Sequence, residues 1–331
     1  MATTDFITTW RTVADNEEII FFASSTSNNF NIDWGDGNQE TITAAYPAHT
    51  YAVAGDYDIT VDGVMPNMIS TSATKNVLDV KQWGDTGLIS CKRAFYQQTL
   101  IAGFSAIDDP NLSAVTEMRD MFTGATSFNG VIGSWNTSNV VDMLSVFRTA
   151  SSFNQDLSLW DVSNATDMRN MFEGATVFNQ DISAWSMPKA RSFAYMFKNA
   201  VNFNQDISAW DTSLITNLEE MFRGASTFDQ DLGAWDMMSV TSAADMFRGI
   251  AMSCQSYTGT LNGWSQQLTL NAILFSGGDS TYDPGPGQAA RDILANTWGW
   301  TIIDGGAGTA GCYTTPGGAP KANPLFFAQD F

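Results

Sequence analysis

The stretch that decides the fold is Met171–Trp185, which reads MFEGATVFNQDISAW. It returns 25 residues later as MFKNAVNFNQDISAW at 196–210, and again as MFRGASTFDQDLGAW at 221–235. The residues that keep this period are phenylalanine at 122, 147, 172, 197, 222 and 247, a second phenylalanine at 128, 153, 178, 203 and 228, tryptophan at 135, 160, 185, 210 and 235, and alanine at 125, 150, 175, 200 and 225. A period of this length predicts a repeat array in which each repeat buries a face on its neighbours.

Each repeat divides into two halves with different patterns. In the repeat that starts at Asn139, apolar residues fall at i, i+3, i+6, i+7 and i+10, which places them on one face of a short helix. These residues are Val140, Met143, Val146, Phe147 and Ala150. Asn139 and Asp142 suit an N-cap and an acidic first turn. The other half, Phe153–Trp160, is turn-rich and predicts a strand with a bend. One strand and one short helix per 25 residues predict an α/β solenoid of the leucine-rich-repeat type.

The N-terminal part of the chain has the pattern of a small all-β sandwich. Short β-rich runs at 19–22 and 31–34, and period-two alternation at 56–61, predict strands that are half buried against a second sheet. The sequence Gly-Asp-Gly-Asn at 35–38 predicts a turn that closes a hairpin onto Thr41–Thr43. The predicted fold class is therefore multidomain, with an all-β sandwich followed by the α/β solenoid, a C-terminal cap and an extended tail.

The repeat resembles the bacterial surface-protein repeat MFxGAxxFNQDIxxWDxSxVTxM of the BspA-like leucine-rich-repeat group. The resemblance spans about 117–250, and the repeats at 171–185, 196–210 and 221–235 carry it best. The segment Ser186–Ala190 departs from the repeat pattern, so we expect its surface chemistry to differ. The resemblance implies a non-catalytic cell-surface or attachment protein of the kind found in bacteria, protists and viruses.

A second resemblance lies in the N-terminal part. Trp-Gly-Asp-Gly at 34–37, His-Thr-Tyr at 49–51 and the run Gly55–Val61 resemble the WGDG, HxY and GxYxVxV signature of the PKD family. The resemblance implies an immunoglobulin-like extracellular spacer or adhesion module. His49 is interpreted as a hydrogen-bonded packing residue.

The patterns together predict five parts of the chain. Trp83 and Phe95 keep the twelve-residue spacing from tryptophan to phenylalanine, and Trp264 and Phe275 are one residue short of it, so degenerate repeats should cap both ends of the array. The predicted boundaries are 1–64 for the PKD-like sandwich, 65–82 for a linker, 83–275 for the solenoid with regular coils at 117–250, 276–303 for a C-terminal cap, and 304–331 for a Gly/Pro-rich tail with an apolar end.

Composition and charge exclude several classes of function. Fifteen Lys and Arg against 35 Asp and Glu give a net charge of −20, which opposes binding to a phosphate backbone. No apolar run approaches the roughly 18 to 20 residues that a membrane helix needs. No nucleotide-binding loop, zinc-protease or serine-hydrolase motif is present, so we predict that the protein is not an enzyme. Of the three cysteines, Cys254 and Cys312 could be bridged, but free buried thiols are favoured.

Polar columns supply the candidate binding residues. The acidic column is Asp156, Asp181, Asp206 and Asp231, and the amide strip is Asn154, Gln155, Asn179, Gln180, Asn204, Gln205 and Gln230. Carboxylates about 4.8 Å apart on successive rungs would repel by about 3 to 4 kcal/mol at an effective dielectric of 20. Each Asp could accept a backbone N–H in its own turn, Ca²⁺ could bridge the rungs, or the strip could face a ligand. No cofactor other than calcium is predicted. The tryptophan column is interpreted as core rather than as a platform for sugars.

The tail and the N-terminus bear on partners and location. Phe326, Phe327 and Phe331 would leave apolar area in water on a free monomer, so we predict that they dock onto a partner subunit or an assembly. Residues 1–16 show no secretory signal. We therefore expect a virion component that mediates attachment, such as a tail fibre or decoration protein, with a host cell-surface glycan or protein as its ligand. The alternative is an exported bacterial cell-surface adhesin.

Overall fold

Strands lie at both ends of the chain, on either side of a long region of stacked turns. The computed structural model describes residues 5–70 and 76–314. Its strands and helices are β1 Phe6–Thr12, β2 Glu17–Ile20, β3 Asn29–Asp33, β4 Gln39–Ile42, β5 Ala48–Tyr51, β6 Gly55–Val64, β7 Val77–Gln82, α1 Cys254–Ser265, β8 Leu274–Ser276, α2 Pro286–Asn296 and β9 Thr301–Ile303.

Two antiparallel sheets form the N-terminal part. One has five strands in the order β4-β3-β6-β1-β7, and the other pairs β2 with β5. The hairpin of β3 and β4 sets Asp33 opposite Gln39, with the 35–38 turn between them. Strand β7, an edge strand of the larger sheet, lies inside the range 65–82 that the sequence assigned to a linker. Trp10, Phe21 and Phe22 are fully buried between the sheets and the first repeat.

The repeats continue this core as a stack. Phe22 lies 6.2 Å from Phe95, ring centroid to ring centroid, and the first-column phenylalanines from Phe122 to Phe247 then follow one another at 5.5 to 5.7 Å. Within a repeat, the two phenylalanine columns also stack, as Phe147 and Phe153 do at 4.0 Å. Backbone hydrogen bonds join successive repeats, for example from Phe147 N–H to the Met171 carbonyl at 2.9 Å.

The predicted fold class, an all-β sandwich followed by an α/β leucine-rich-repeat-like solenoid, is wrong. The described part of the chain is mostly strand and turn, with two short helices that both follow the regular repeats. From 89 to 250, the repeats contain turns and single parallel bridges, such as Glu117 to Asp142, in place of the predicted helices and strands. The segment Phe153–Trp160, predicted as a bent strand, is likewise without a strand assignment.

The predicted helices fail because each repeat holds residues in the left-handed region. Asp120, Ser145, Asn170, Tyr195, Glu220 and Asp245 all have φ between 51° and 63°. A right-handed helix cannot continue through such a residue. The chain instead makes a succession of four-residue turns, with Met121 N–H donating to the Met118 carbonyl and Ala125 N–H to that of Phe122. These turns reproduce the i, i+3 spacing of buried residues that a helix would give.

The predicted N-caps are corrected for the same reason. The Asn139 side chain donates to the Ser113 carbonyl at 2.8 Å, and the Asn164 side chain donates to the Ser138 carbonyl at 2.6 Å. Both asparagines therefore join their own repeat to the preceding one and do not cap a helix.

Helix α1 closes the regular stack at its C-terminal end. Trp264, in α1, extends the tryptophan column, and its Nε1 donates to the Leu232 carbonyl at 2.9 Å. Gly263 faces Gly233 so closely that a Cβ built on Gly263 would lie 2.1 Å from the Gly233 carbonyl oxygen. Beyond α1, β8 pairs in parallel with β9, and α2 packs on α1.

Two cysteines hold the C-terminal segment to this cap. Cys254 at the start of α1 is disulfide-bonded to Cys312, with Cα atoms 5.9 Å apart, and Cys91 is a free, buried thiol. The expectation that Cys254 and Cys312 are free thiols is therefore wrong, because α1 brings two residues 58 positions apart into bonding range. The docking residues predicted in the tail, Phe326, Phe327 and Phe331, lie outside the described residues.

Replacing Trp185 with alanine should open a cavity in the middle of the stack. Trp185 is 5% exposed, and its Nε1 donates to the Leu157 carbonyl at 3.1 Å. We expect the free energy of unfolding, measured by denaturant titration, to fall by roughly 3 to 5 kcal/mol. The control is Leu159→Ala, because Leu159 is 78% exposed and its loss should change stability by less than about 0.5 kcal/mol. A similar small loss for both variants would contradict the core role of the tryptophan.

Candidate functional site

The asparagine column forms a hydrogen-bond ladder along the stack. The Oδ1 atoms of Asn129, Asn154 and Asn179 each accept the backbone N–H of the residue 25 positions later, at 2.9 Å. Asn204 does the same for the N–H of Asp229 at 2.8 Å. The ladder ends at helix α1, where Asp229 Oδ1 accepts the N–H of the N-cap residue Ser253 at 2.7 Å.

The glutamine column reinforces this ladder. The Nε2 atoms of Gln180, Gln205 and Gln230 donate to the Oδ1 of Asn154, Asn179 and Asn204 at 2.8 to 3.0 Å. Each of these asparagine oxygens therefore accepts two hydrogen bonds from the next repeat. The amide strip that the sequence proposed as a ligand-facing surface is brought together as predicted, but its oxygens are used to join repeats. Its role toward a ligand stays a prediction.

The acidic column is used within its own turns. Asp156, Asp181, Asp206 and Asp231 each accept, through Oδ1, the backbone N–H two residues later, at 2.8 to 2.9 Å. The backbone N–H and the side chain of Ser183 hold the pKa of Asp181 below its ordinary value. This is the local-turn alternative, in which each carboxylate accepts a hydrogen bond within its own turn. Asp231 differs from Asp181, because burial and the charge of Asp206 raise its pKa above the ordinary value. Within residues 5–70 and 76–314, no group of three or more His, Cys, Asp or Glu side chains is placed to hold a metal ion, and the calcium column stays a prediction.

The tryptophan column lies in the core. Trp135, Trp160, Trp185, Trp210 and Trp235 are all 5% exposed or less. The indole N–H of Trp160 donates to the Ile132 carbonyl at 3.0 Å, and later members of the column donate in the same way. Because the rings are covered and their polar atoms are satisfied within the stack, the column offers no open platform for sugar rings.

Residues of the N-terminal Trp-Gly-Asp-Gly and His-Thr-Tyr segments meet in one cluster. His49 stacks on Trp34 at 5.0 Å between ring centroids, and its Nε2 lies 2.8 Å from Asp36 Oδ2. Burial raises the pKa of Asp36, but the hydrogen bonds from His49 and Asn38 outweigh it and leave this pKa below its ordinary value. The Tyr51 hydroxyl donates to the Trp34 carbonyl at 2.8 Å. The cluster joins the 35–38 turn to β5, which is a packing role for His49.

The structure shows one surface feature that the sequence did not single out. A recess of about 350 Å³ opens on the surface of the stack where residues 166–169, 191–192 and 216–217 of successive repeats lie side by side, and we call it the polar recess. It is lined by Thr166, Asp167, Arg169, Arg191, Ser192, Thr216 and Asn217. The only sequence indication was the departure at Ser186–Ala190, which comes directly before Arg191.

Removing one oxygen from the asparagine ladder should weaken the stack. We expect Asn179→Ala to lower the free energy of unfolding by about 1 to 3 kcal/mol, because the Asn204 N–H loses its acceptor and the Gln205 Nε2 keeps only the Asn179 backbone carbonyl. Asn179→Asp keeps an oxygen at this place and should lose less, since Asp229 fills the same column naturally. Urea titration measures both variants.

The matched control for this change is Asn202→Ala. The Asn202 side chain is exposed and has no hydrogen-bond partner within residues 5–70 and 76–314. Equal stability of the Asn179→Ala and Asn202→Ala variants would show that the ladder contributes nothing measurable.

None of the helices described in the structure is long and apolar enough to cross a membrane.

Comparison with known proteins places the repeats in a family. Searches of curated proteins and of solved structures found no match to the chain. A family model described as "Mycoplasma protein of unknown function, DUF285" matches residues 89–202 and again 187–280, which fits the resemblance to BspA-like repeats. The matches do not reach the N-terminal sheets, so the PKD resemblance is not confirmed. Because these matches span more than half of the 331 residues, the chain belongs to the DUF285 family.

Proposed function

We propose that the chain is a non-enzymatic recognition protein on an outer surface, where the repeat stack mediates attachment. Family membership supports the coarser part of this proposal, a surface-associated repeat protein. The N-terminal sheets would act as a spacer of the PKD type. Partner docking through Phe326, Phe327 and Phe331 belongs to the same proposal.

The observation that carries the proposal is that the repeating residues and the varying residues have different roles. The residues that repeat hold the stack together, since the phenylalanines are buried in it and the asparagine ladder joins one repeat to the next. Surface positions that vary carry different charges from repeat to repeat, as in the column Arg148, Glu173, Lys198, Arg223 and Arg248. Ion pairs differ as well, since Arg148 pairs with Glu173 at 2.8 Å and the equivalent Arg223 pairs with Glu220 at 2.9 Å. A rigid scaffold that displays varied side chains suits recognition of a partner.

Two locations are compatible with this function. The first is the surface of a virus particle, as a tail fibre or decoration protein, since the BspA-like group that the repeats resemble includes viral members. The second is a bacterial cell surface, and the disulfide between Cys254 and Cys312 favours it. Disulfides form and persist in oxidising compartments and are rare in the cytosol, so the bridge supports export.

Thiol counting in protein isolated from its source tests the oxidised state. We expect one reactive thiol, that of Cys91, when the protein is denatured without reduction, and three thiols after reduction. Three thiols before reduction would contradict an oxidising environment. A Cys91→Ser variant assigns the signal, because it should leave no reactive thiol in the unreduced protein.

Mass spectrometry of fractions from the source organism tests the location. A fixed copy number in purified particles would support a virion component, and recovery in the envelope fraction of uninfected cells would support an adhesin. Recovery in the soluble cytosolic fraction alone would overturn the proposed surface function.

A further inference from the structure

The series of backbone hydrogen bonds that joins successive repeats is interrupted at the polar recess. On one side, Thr166 N–H donates to the Val141 carbonyl at 2.9 Å, and on the other, Thr216 N–H donates to the Arg191 carbonyl at 2.9 Å. In the described structure, the equivalent bond from Arg191 N–H to the Thr166 carbonyl is missing. The parallel bridge from Asp142 to Asp167 is likewise present, whereas none joins Asp167 to Ser192.

A second backbone hydrogen bond between repeats is missing at the same place. Met143 N–H donates to the Asp167 carbonyl at 3.0 Å, and Phe193 N–H donates to the Asn217 carbonyl at 3.0 Å. Met168 N–H, the equivalent donor between them, has no hydrogen-bond acceptor among the described residues, although Met168 is fully buried. A buried backbone N–H without a partner is uncommon in a folded protein.

Arg191 is the residue that lies at the interruption. The other members of its column are Thr116, Val141, Thr166, Thr216 and Thr241. Where the column holds threonine, as at 216 and 241, the hydroxyl donates back to the preceding repeat's carbonyl at 3.0 to 3.1 Å. Arg191 has no such hydroxyl, and its Nη1 donates to the Ala190 carbonyl at 2.9 Å. The Thr166 carbonyl therefore lacks both of its expected donors.

The charges and size of the recess indicate the chemistry of its ligand. Asp167 is already paired with Arg169, at 2.9 Å and 2.7 Å, so the guanidinium of Arg191 carries the unpaired charge of the lining. On a chain with a net charge of −20, this is a local site for an anion. The recess also offers the unpaired carbonyl of Thr166 and the polar side chains of Ser192 and Asn217. Its volume of about 350 Å³ is in the range of small-ligand sites.

We propose that the polar recess binds a carboxylated sugar residue of the hexuronate class. Arg191 binds the carboxylate, and the Thr166 carbonyl accepts a hydrogen bond from a sugar hydroxyl. A carboxylate alone would use the guanidinium but not the carbonyl acceptor, which favours a polyol over a simple acid. The assignment rests on the proposed recognition function and names the ligand class of one site.

Titration of the full chain with D-glucuronate tests the site directly. We expect binding at millimolar concentration, with the backbone amide signals of Ser192 and Asn217 shifting in NMR spectra. D-glucose lacks the carboxylate and acetate lacks the hydroxyls, so both should bind more weakly. In Arg191→Thr, which restores the residue type of the column, the affinity for glucuronate should fall by about tenfold or more.

Two controls keep the outcome decisive. Arg248→Thr removes an equal charge from the last regular repeat and should leave glucuronate affinity unchanged. Arg191→Thr should unfold at the same or a higher urea concentration than the parent, which excludes misfolding as the cause of lost binding. Equal affinity in Arg191→Thr, no binding by the parent protein, or equal binding of glucose or acetate would each overturn the assignment. These results do not depend on where the protein resides, so they are separable from the fractionation test.

Discussion

The structure depends on a single spacing, the distance between one repeat and the next. Stacked rings from Phe122 to Phe247 hold successive repeats at a nearly constant separation of 5.5 to 5.7 Å. Backbone hydrogen bonds and the asparagine oxygens act across the same gap. Close packing of aromatic rings and satisfied backbone polar groups are both needed, because neither tolerates a change of a few tenths of an ångström without loss. At Arg191 the ring spacing is kept, with Phe172 and Phe197 5.7 Å apart, while two backbone hydrogen bonds across the gap are missing.

The sequence was enough to assign the side chains with a 25-residue period to the core, but it was not enough to predict the path of the backbone. The phenylalanine, tryptophan and alanine columns are buried as predicted, because burial follows from apolar character and period. The helices were mispredicted because i, i+3 spacing is shared by helices and by successive turns closed by hydrogen bonds from residue i+3 to residue i. The left-handed positions would have revealed the turns, but Tyr195 and Glu220 occupy two of them, and neither residue type favours that conformation.

The candidate sites show the same limit. The sequence located the polar columns, yet whether an oxygen faces a ligand or the next repeat depends on the turn geometry. The bond between Cys254 and Cys312 depends on α1, whose approach to Gly233 no local pattern predicts. The only sequence feature that indicated the polar recess was the irregular segment Ser186–Ala190. Its opening results from two missing hydrogen bonds, which are a property of tertiary packing rather than of composition.

Helix α1 has a consequence for how this protein can change in length. Gly259 and Gly263 fit one particular surface, the loop around Gly233 in the last regular repeat, while the first repeat contacts the N-terminal sheets through Phe95 and Phe22. Gene duplication or deletion in units of 75 nucleotides, or whole multiples of 75, would therefore lengthen or shorten the stack and leave both terminal contacts intact. A unit of any other size would shift the phenylalanines out of alignment. The closing helix thus permits variation in reach between related chains while it prevents open-ended growth by end-to-end association.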